Sequence, residues 1–175
     1  MSLAQQVIQN AYVVNDIDEA IERWHGLWGI GPFFVRRHIA MAHVRYRGSA
    51  SQIDISAVYV QAGPVQVELV QQHCDTPSAF RDMYAAGSEG FHHVAMQPMD
   101  YQQLMDHYAA GGFAVATEVR TAGGRGAAFI DTRPLLGHMT EVYMAREGTL
   151  ALYRMVAEGA AHWDRKQLTI ELEST

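Results

Sequence analysis

The sequence predicts an α+β protein built from two copies of one strand–helix–strands unit, followed by a terminal helix. Three observations carry that reading. Asp16 and Asp100 each follow a short β-rich run, precede a helical pattern, and stand 84 positions apart. Gln9 and His93, seven positions before those aspartates, keep the same spacing. Each helical pattern then gives way to short runs rich in β-formers with glycine-rich joints, as half-buried strands do. A repeat of this kind implies two copies of one supersecondary unit.

The first copy opens with "QNAYVV", a strand that stops at Asn15-Asp16. Asp16 and Glu19 have capping-box spacing, Ile17, Ala20, Ile21, Trp24 and Trp28 recur at helical spacing, and Gly29 caps the end. Strand-like segments follow: "PFFVRRHIA", "AHVRYRG", "IDISAVYVQAG" and "PVQVELVQQ", with room for an extra strand or a longer loop between Ile39 and Ser56. The second copy starts at "GFHHVAM", and Asp100 opens a helix carrying Leu104 and Tyr108 and closed by Gly111 and Gly112. "FAVATEVRT", "GAAFIDT" and "HMTEVYM" then complete it. "AGGRGA" lacks the lysine and the strand-to-helix setting of a phosphate loop and reads as a hairpin turn. The expected divisions are a first module at 5–75, a linker helix at 76–89, a second module at 90–147, and a C-terminal helix and tail at 148–175 that packs Leu152, Val156 and Trp163.

A chain of 175 residues, 49% hydrophobic and 18% charged, can bury a real core. Its net charge of −6 argues against a nucleic-acid partner, which calls for a basic face. Arg36, Arg37, Arg45 and Arg47 cluster in sequence and read as a solvated strand face before an anion patch. Cys74 is the only cysteine, which excludes an internal disulfide and a thiolate metal cluster. No apolar run spans a bilayer and the start has no secretory pattern, so the expectation is a cytoplasmic protein without a membrane partner.

Side chains alternate faces along a strand, and two carboxylates fall where that matters. In "PVQVELVQQ" Val65, Val67 and Leu69 face a core against helices, whereas Gln66 and Glu68 point the other way. In "HMTEVYM" Met139, Glu141 and Tyr143 share a face. One mid-strand carboxylate is ordinarily solvent-facing; two on equivalent strands of a repeat need a common cause. If each module curls into a half-barrel, Gln9, Glu68, His93 and Glu141 converge from four strands. One amide oxygen, two carboxylates and one imidazole suit a hard or borderline divalent cation in an open site. His93 is the ligand candidate, and His92, by parity, points away as buried support.

These residues resemble the vicinal oxygen chelate superfamily (glyoxalase/bleomycin-resistance/dioxygenase), in "QNAYVVNDIDEAI", "GIGPFF", "VQVELVQ", "GFHHVAM" and "GHMTEVYM". The resemblance runs from about Val7 to Met144 and implies two βαβββ modules whose curved sheets form a metal-binding cup. The ligand order Gln9, Glu68, His93, Glu141 is similar to that of animal-type glyoxalase I. Methylmalonyl-CoA epimerase looks similar in its histidine pair, but typically has His first and Gln second. Extradiol dioxygenases use two histidines and one glutamate, and antibiotic-binding relatives usually lack the metal set.

The expectation is therefore a divalent-metal-dependent enzyme (Zn, Ni, Co, Mn or Mg) that stabilises an enolate or enediolate of a small oxygen-chelating substrate. Epimerase or isomerase chemistry comes first and a lyase close behind. Glu141 first and Glu68 second would move the proton. The rivals are an extradiol-type dioxygenase and a non-catalytic binder using Trp24, Trp28, Phe33, Phe34, Tyr46 and Tyr59 as cleft walls. The resemblance also implies a homodimer.

Overall fold

The computed structural model describes residues 6–98, 100–144 and 147–174. Ala145 and Arg146, where the second module meets the terminal helix, lie outside the described residues, as do the expected outer bounds 5 and 175. The first half contains β1 (Gln6–Val13), α1 (Ile17–Trp28), β2 (Phe33–Arg36), β3 (Met41–Tyr46), β4 (Ser49–Ala50), β5 (Ile55–Ala62) and β6 (Val65–Gln72). A short helix, α2 (Ala79–Met83), leads to β7 (Gly90–Gln97), α3 (Tyr101–Ala110), β8 (Val115–Thr121), β9 (Gly126–Ile130), α4 (Arg133–Leu136) and β10 (Met139–Tyr143). The chain continues through α5 (Glu147–Ala161) and β11 (Thr169–Glu171).

All the strands join one curved, unclosed sheet in the order β11, β2, β5, β6, β1, β7, β10, β9, β8, β3, β4. The middle of that order has two-fold symmetry. In each half the first and last strands lie side by side and parallel, and β1 pairs antiparallel with β7 to join the halves. Asn10 faces Val94, its own equivalent in the repeat, so a pseudo-dyad passes between them.

The helices begin where the sequence requires. Asp16 accepts the Asp18 and Glu19 N–H groups at 2.8 and 3.0 Å, and Asp100 accepts that of Gln103 at 3.0 Å. Gly29 ends α1 in the left-handed conformation (φ 65°), the backbone shape that glycine adopts without cost. α1 and α3 each cover the convex face of their own half. Ile17, Ala20 and Ile21 pack on Val58, Val60, Val67 and Leu69, while Leu104 packs on Ala128, Ile130 and Val142. Trp28 keeps the helical spacing without the burial: it is 56% exposed, at the end of the helix, with its ring edge-to-face on Trp24.

Two features depart from the simple repeat. The segment between Ile39 and Ser56 is a β3–β4 hairpin that leaves the first half and pairs antiparallel with β8 of the second. The C-terminal tail is more than a helix, since β11 adds in parallel to β2. Trp163 lies beyond the end of α5, with its Nε1–H donated to Gln167 O at 2.8 Å.

The concave side is partly filled from within. Phe80 of α2 and Leu152 and Val156 of α5 join Val13, Phe34, Tyr59, Val70 and Phe129 in the interior cluster. Gly159 permits this seating, because a Cβ there would lie 2.5 Å from Cζ of the buried Phe34 ring. Gly159→Ala should therefore destabilise the fold by about 1–3 kcal/mol, the scale of overpacking. Gly26→Ala in α1, where a Cβ meets nothing within 4 Å, should stabilise it by roughly 0.5–1 kcal/mol. Urea unfolding of the two variants checks the opposite signs.

Candidate metal centre

The floor of the cup is built from β6, β1, β7 and β10. Register places Gln66, Gln9, Ala95 and Glu141 in one row and Glu68, Ala11, His93 and Met139 in the next. The alternation read from the sequence thus puts Gln9, Glu68, His93 and Glu141 on one face. Ala11 and Ala95, two positions after Gln9 and His93, are the small residues between them. Neither alanine is among the sequence candidates, although their parity and their 84-residue spacing are both written in the sequence.

Three of the four candidate residues meet. One ligand atom from each of Glu68, His93 and Glu141 lies within 4.8 Å of the others, and all three residues are buried. His93 Nε2 is 3.1 Å from Glu141 Oε2 and 3.4 Å from Glu68 Oε2. Gln9 is fully buried, and its amide is engaged: Nε2 donates to Gln66 Oε1 at 2.7 Å and Oε1 accepts the Tyr143 hydroxyl at 3.1 Å. A carbonyl oxygen has a second lone pair, so Tyr143 orients Gln9 without exhausting it. Gln66 and Tyr143, each two positions from a glutamate, share this face as their parity predicts, but they are not among the sequence candidates for the site.

His92 corrects the parity argument. Ala11 faces His93 but Tyr12 faces Phe91, so His92 is an extra residue in its strand. Such a β-bulge re-aims a side chain. The His92 ring turns to the interior, 4.9 Å from the Phe80 ring and 5.0 Å from that of His93. Ile8, the repeat equivalent of His92, is the extra residue of β1.

The bulge creates a hydrogen-bonded chain that fixes the tautomers. Ala79 O is only an acceptor, so His92 Nε2, at 2.9 Å, carries the proton and donates it. A neutral His92 then has a bare Nδ1, which accepts from His93 Nδ1–H at 2.7 Å. Burial holds His92 well below the ordinary imidazole range, and the neighbouring His93 adds to this, which keeps His92 neutral. His93 Nε2 therefore faces the two carboxylates as the nitrogen that either takes a proton or ligates a cation.

Burial by itself would lower the His93 pKa, but the hydrogen bond and charge of Glu141, then those of Glu68, outweigh it and push the value up to about 9. Burial pushes the Glu68 carboxyl up. Without a cation, a proton on His93 bridges two buried carboxylates. A divalent ion in its place, held by two carboxylates and a neutral imidazole, balances the local charge, and the donors are the hard and borderline types such ions take. The residues fit a divalent metal.

The carboxylates open onto an interior cavity of about 80 Å³, lined also by Arg36, Tyr59, Tyr143, Phe80 and Phe129. That volume accepts several waters or the reacting end of a small molecule. The other sequence candidates are dispersed. Arg37 pairs with Asp18 and Glu171, Arg47 with Asp82 and Asp131, and Arg45 donates to Gly48 O. Cys74 is half-buried and accepts the Asp54 N–H at 3.4 Å, away from the centre. Of the aromatic residues considered as cleft walls, Phe34 and Tyr59 belong to the interior cluster, whereas Trp24 and Phe33 pack on the convex side.

The raised pKa values make a signed prediction. A group whose folded pKa is raised stabilises below its unfolded value and loses that contribution as pH climbs through the folded one. Chelator-treated protein should therefore lose stability as pH rises from about 6.5 to about 9, measured by urea unfolding. A saturating divalent cation should flatten the slope by taking the place of the proton.

Comparison with known proteins agrees with this architecture. A family model described as the glyoxalase/bleomycin resistance protein/dioxygenase superfamily matches residues 8–129. No curated protein matches the sequence. Among solved structures, hypothetical protein BH1468 from Bacillus halodurans superposes with a TM-score of 0.58 at 15% identity, over 82% of this chain and 96% of that one. Methylmalonyl-CoA epimerase from Mycobacterium tuberculosis gives 0.52 at 16% identity, over 82% and 90%. A variant of the Streptomyces coelicolor methylmalonyl-CoA epimerase, in complex with 2-nitronate-propionyl-CoA, gives 0.54 at 18%, over 81% and 97%. The shared fold, and a family match over more than half of the sequence, make this chain a member of the glyoxalase/bleomycin resistance protein/dioxygenase superfamily.

Proposed function

We propose that this chain is a divalent-metal-dependent enzyme that forms and stabilises an enolate or enediolate of a small oxygen-chelating substrate. Epimerisation or isomerisation is the preferred outcome, with elimination second. The observation that carries this reading is the Glu68–His93–Glu141 cluster at the wall of an apolar cavity. Glu68, His93 and Glu141 would hold the ion, with Gln9 offering an amide oxygen. A bound divalent ion supplies Lewis acidity toward a substrate carbonyl and a neighbouring oxygen, lowering the barrier to α-proton removal.

The chain's own groups supply the rest. Glu141 takes the α-proton and Glu68, starting protonated, gives its own proton to the other face in an epimerase, or one carboxylate removes and returns the proton in an isomerase. Burial raises the Glu68 carboxyl, which brings it closer to the range where a carboxylate both accepts and releases a proton near neutrality. The His92–Ala79 contact keeps the His93 lone pair aimed inward. Phe80, Phe129 and the aliphatic walls keep water from the reacting carbon. Among the described residues, His93 is the one histidine in the interior cluster of ligand atoms, and His92 is committed to Ala79. That donor set favours the enolising reading over a two-histidine dioxygenase.

We further propose a homodimer: Leu27 and Trp28 on α1 and Leu135 and Leu136 on α4 offer exposed apolar surface. Sedimentation should give a dimer at micromolar concentration, and a monomer there overturns this.

Glu141→Gln keeps an oxygen donor and removes the base. Metal occupancy should fall modestly, while turnover falls by roughly 10²–10⁴-fold. Candidate substrates are 2-oxo thioesters, acyl-CoA thioesters with a stereogenic α-carbon, and vicinal oxygen compounds. Wild-type protein should exchange the α-proton of its substrate with deuterated solvent, read by NMR. Turnover without exchange but with oxygen uptake would replace this mechanism with a dioxygenase, and tight binding without chemical change would replace it with a binder.

A further inference from the structure

A second cluster of ligating side chains lies outside the interior centre. His38 follows β2, Asp54 precedes β5 and His73 follows β6, and one ligand atom from each lies within 4.8 Å of the others. His38 Nδ1 is 2.8 and 3.0 Å from the two Asp54 carboxylate oxygens. The His73 ring stacks on that of His38, with centroids 4.4 Å apart and planes 27° from parallel. Ser56 Oγ accepts the His38 backbone N–H at 3.0 Å and contacts His73 Nε2 at 2.7 Å, so one hydroxyl positions both histidines. His38 holds a left-handed backbone (φ 47°), uncommon for a residue with a side chain.

An isolated surface ion pair contributes little to a fold. It does not by itself call for a second imidazole set over the same carboxylate. We propose that His38, Asp54 and His73 form a second divalent-cation site, suited to Zn²⁺ or Ni²⁺, that staples the base of the β3–β4 hairpin. Two imidazole nitrogens and a carboxylate are the donors borderline cations prefer. The side chains of His38 and Asp54 are 64% and 46% exposed, so a cation enters from solvent and water completes its shell. The location supplies the consequence. His38 and Asp54 bracket the hairpin that crosses to β8, so a cation bound to both and to His73 would tie its two ends to β6.

The site is tested with Zn²⁺ alone on chelator-stripped full-length protein, by equilibrium dialysis. Wild type should bind two ions per chain and His73→Ala one, with circular dichroism confirming that the variant is folded. His38→Gly, which keeps the left-handed backbone without strain, should also bind one. If wild type binds one ion and both variants bind none, the surface site stands and the interior metal reading falls. If the variants bind as many ions as wild type, or wild type binds none, the surface site is overturned whatever happens inside. Hydrogen exchange reads the staple. At zinc a hundredfold above its dissociation constant, opening of residues 41–50 should slow by on the order of a hundredfold in wild type and stay unchanged in His73→Ala. Binding with no such slowing overturns the stapling role.

Discussion

The antiparallel pairing of β1 with β7 is the constraint on which the rest of the molecule depends. It sets the first strand of each repeat beside its counterpart, and this leaves β6 and β10, with one glutamate each, as the flanking strands. Asn10 opposite Val94 marks the dyad, and everything on the floor is arranged about it. Slipping β7 by one residue against β1 would turn His93 to the convex side and Ala95 with it. The two bulges, at Ile8 and His92, allow a strand pair this long to coil into a cup while keeping three central residue pairs in strict register. Neither half could assemble the centre by itself: Glu68 belongs to the first, His93 and Glu141 to the second.

Much of this was legible in the sequence, because period-2 alternation and helix capping are local. The caps at Asp16 and Asp100, the inward parity of Glu68, His93 and Glu141, and the turn at Gly124 all follow from residues a few positions apart. The exceptions have non-local causes. His92 faces inward because a bulge adds one to the parity count, and nothing in "GFHHVAM" marks which residue is the extra one. Trp28 keeps the helical period but ends the helix exposed, with Trp24 as its ring partner. The segment of the β3–β4 hairpin reads only as room for an extra strand or a longer loop; its partner is β8, whose Val119 faces Val44 from the other half of the chain. "LTIE", four residues past a turn, carries too little pattern to announce that β11 will add to β2.

The cup also shows how one concave surface serves packing and chemistry together. Phe80 from α2 and Leu152 and Val156 from α5 occupy much of the space that the curvature creates. What they leave is a small cavity with carboxylates at one wall and aromatic rings at another. An apolar plug of this kind lowers the local dielectric and strengthens each polar contact on the floor. It also explains why the two histidines are tied in series. A buried neutral imidazole needs partners for both nitrogens, and the Ala79 carbonyl at the start of α2 supplies the one that sets the order.

The crossing hairpin has a consequence for the order of events in folding. During synthesis the residues of β3 leave the ribosome well before β8 exists to receive them, and β2 must wait for β11, whose Thr169 pairs with Phe33. Both strands that border the first repeat are thus completed by segments made much later. The amino-terminal repeat, with α1 already able to cover one face, would spend that interval with open backbone edges, the condition under which chains find each other instead of themselves. Closing loops of this length slows the final step more than it weakens the product. Arg45 on β3, with Arg47 just past its end, stands guard over an edge for the time it has no neighbour.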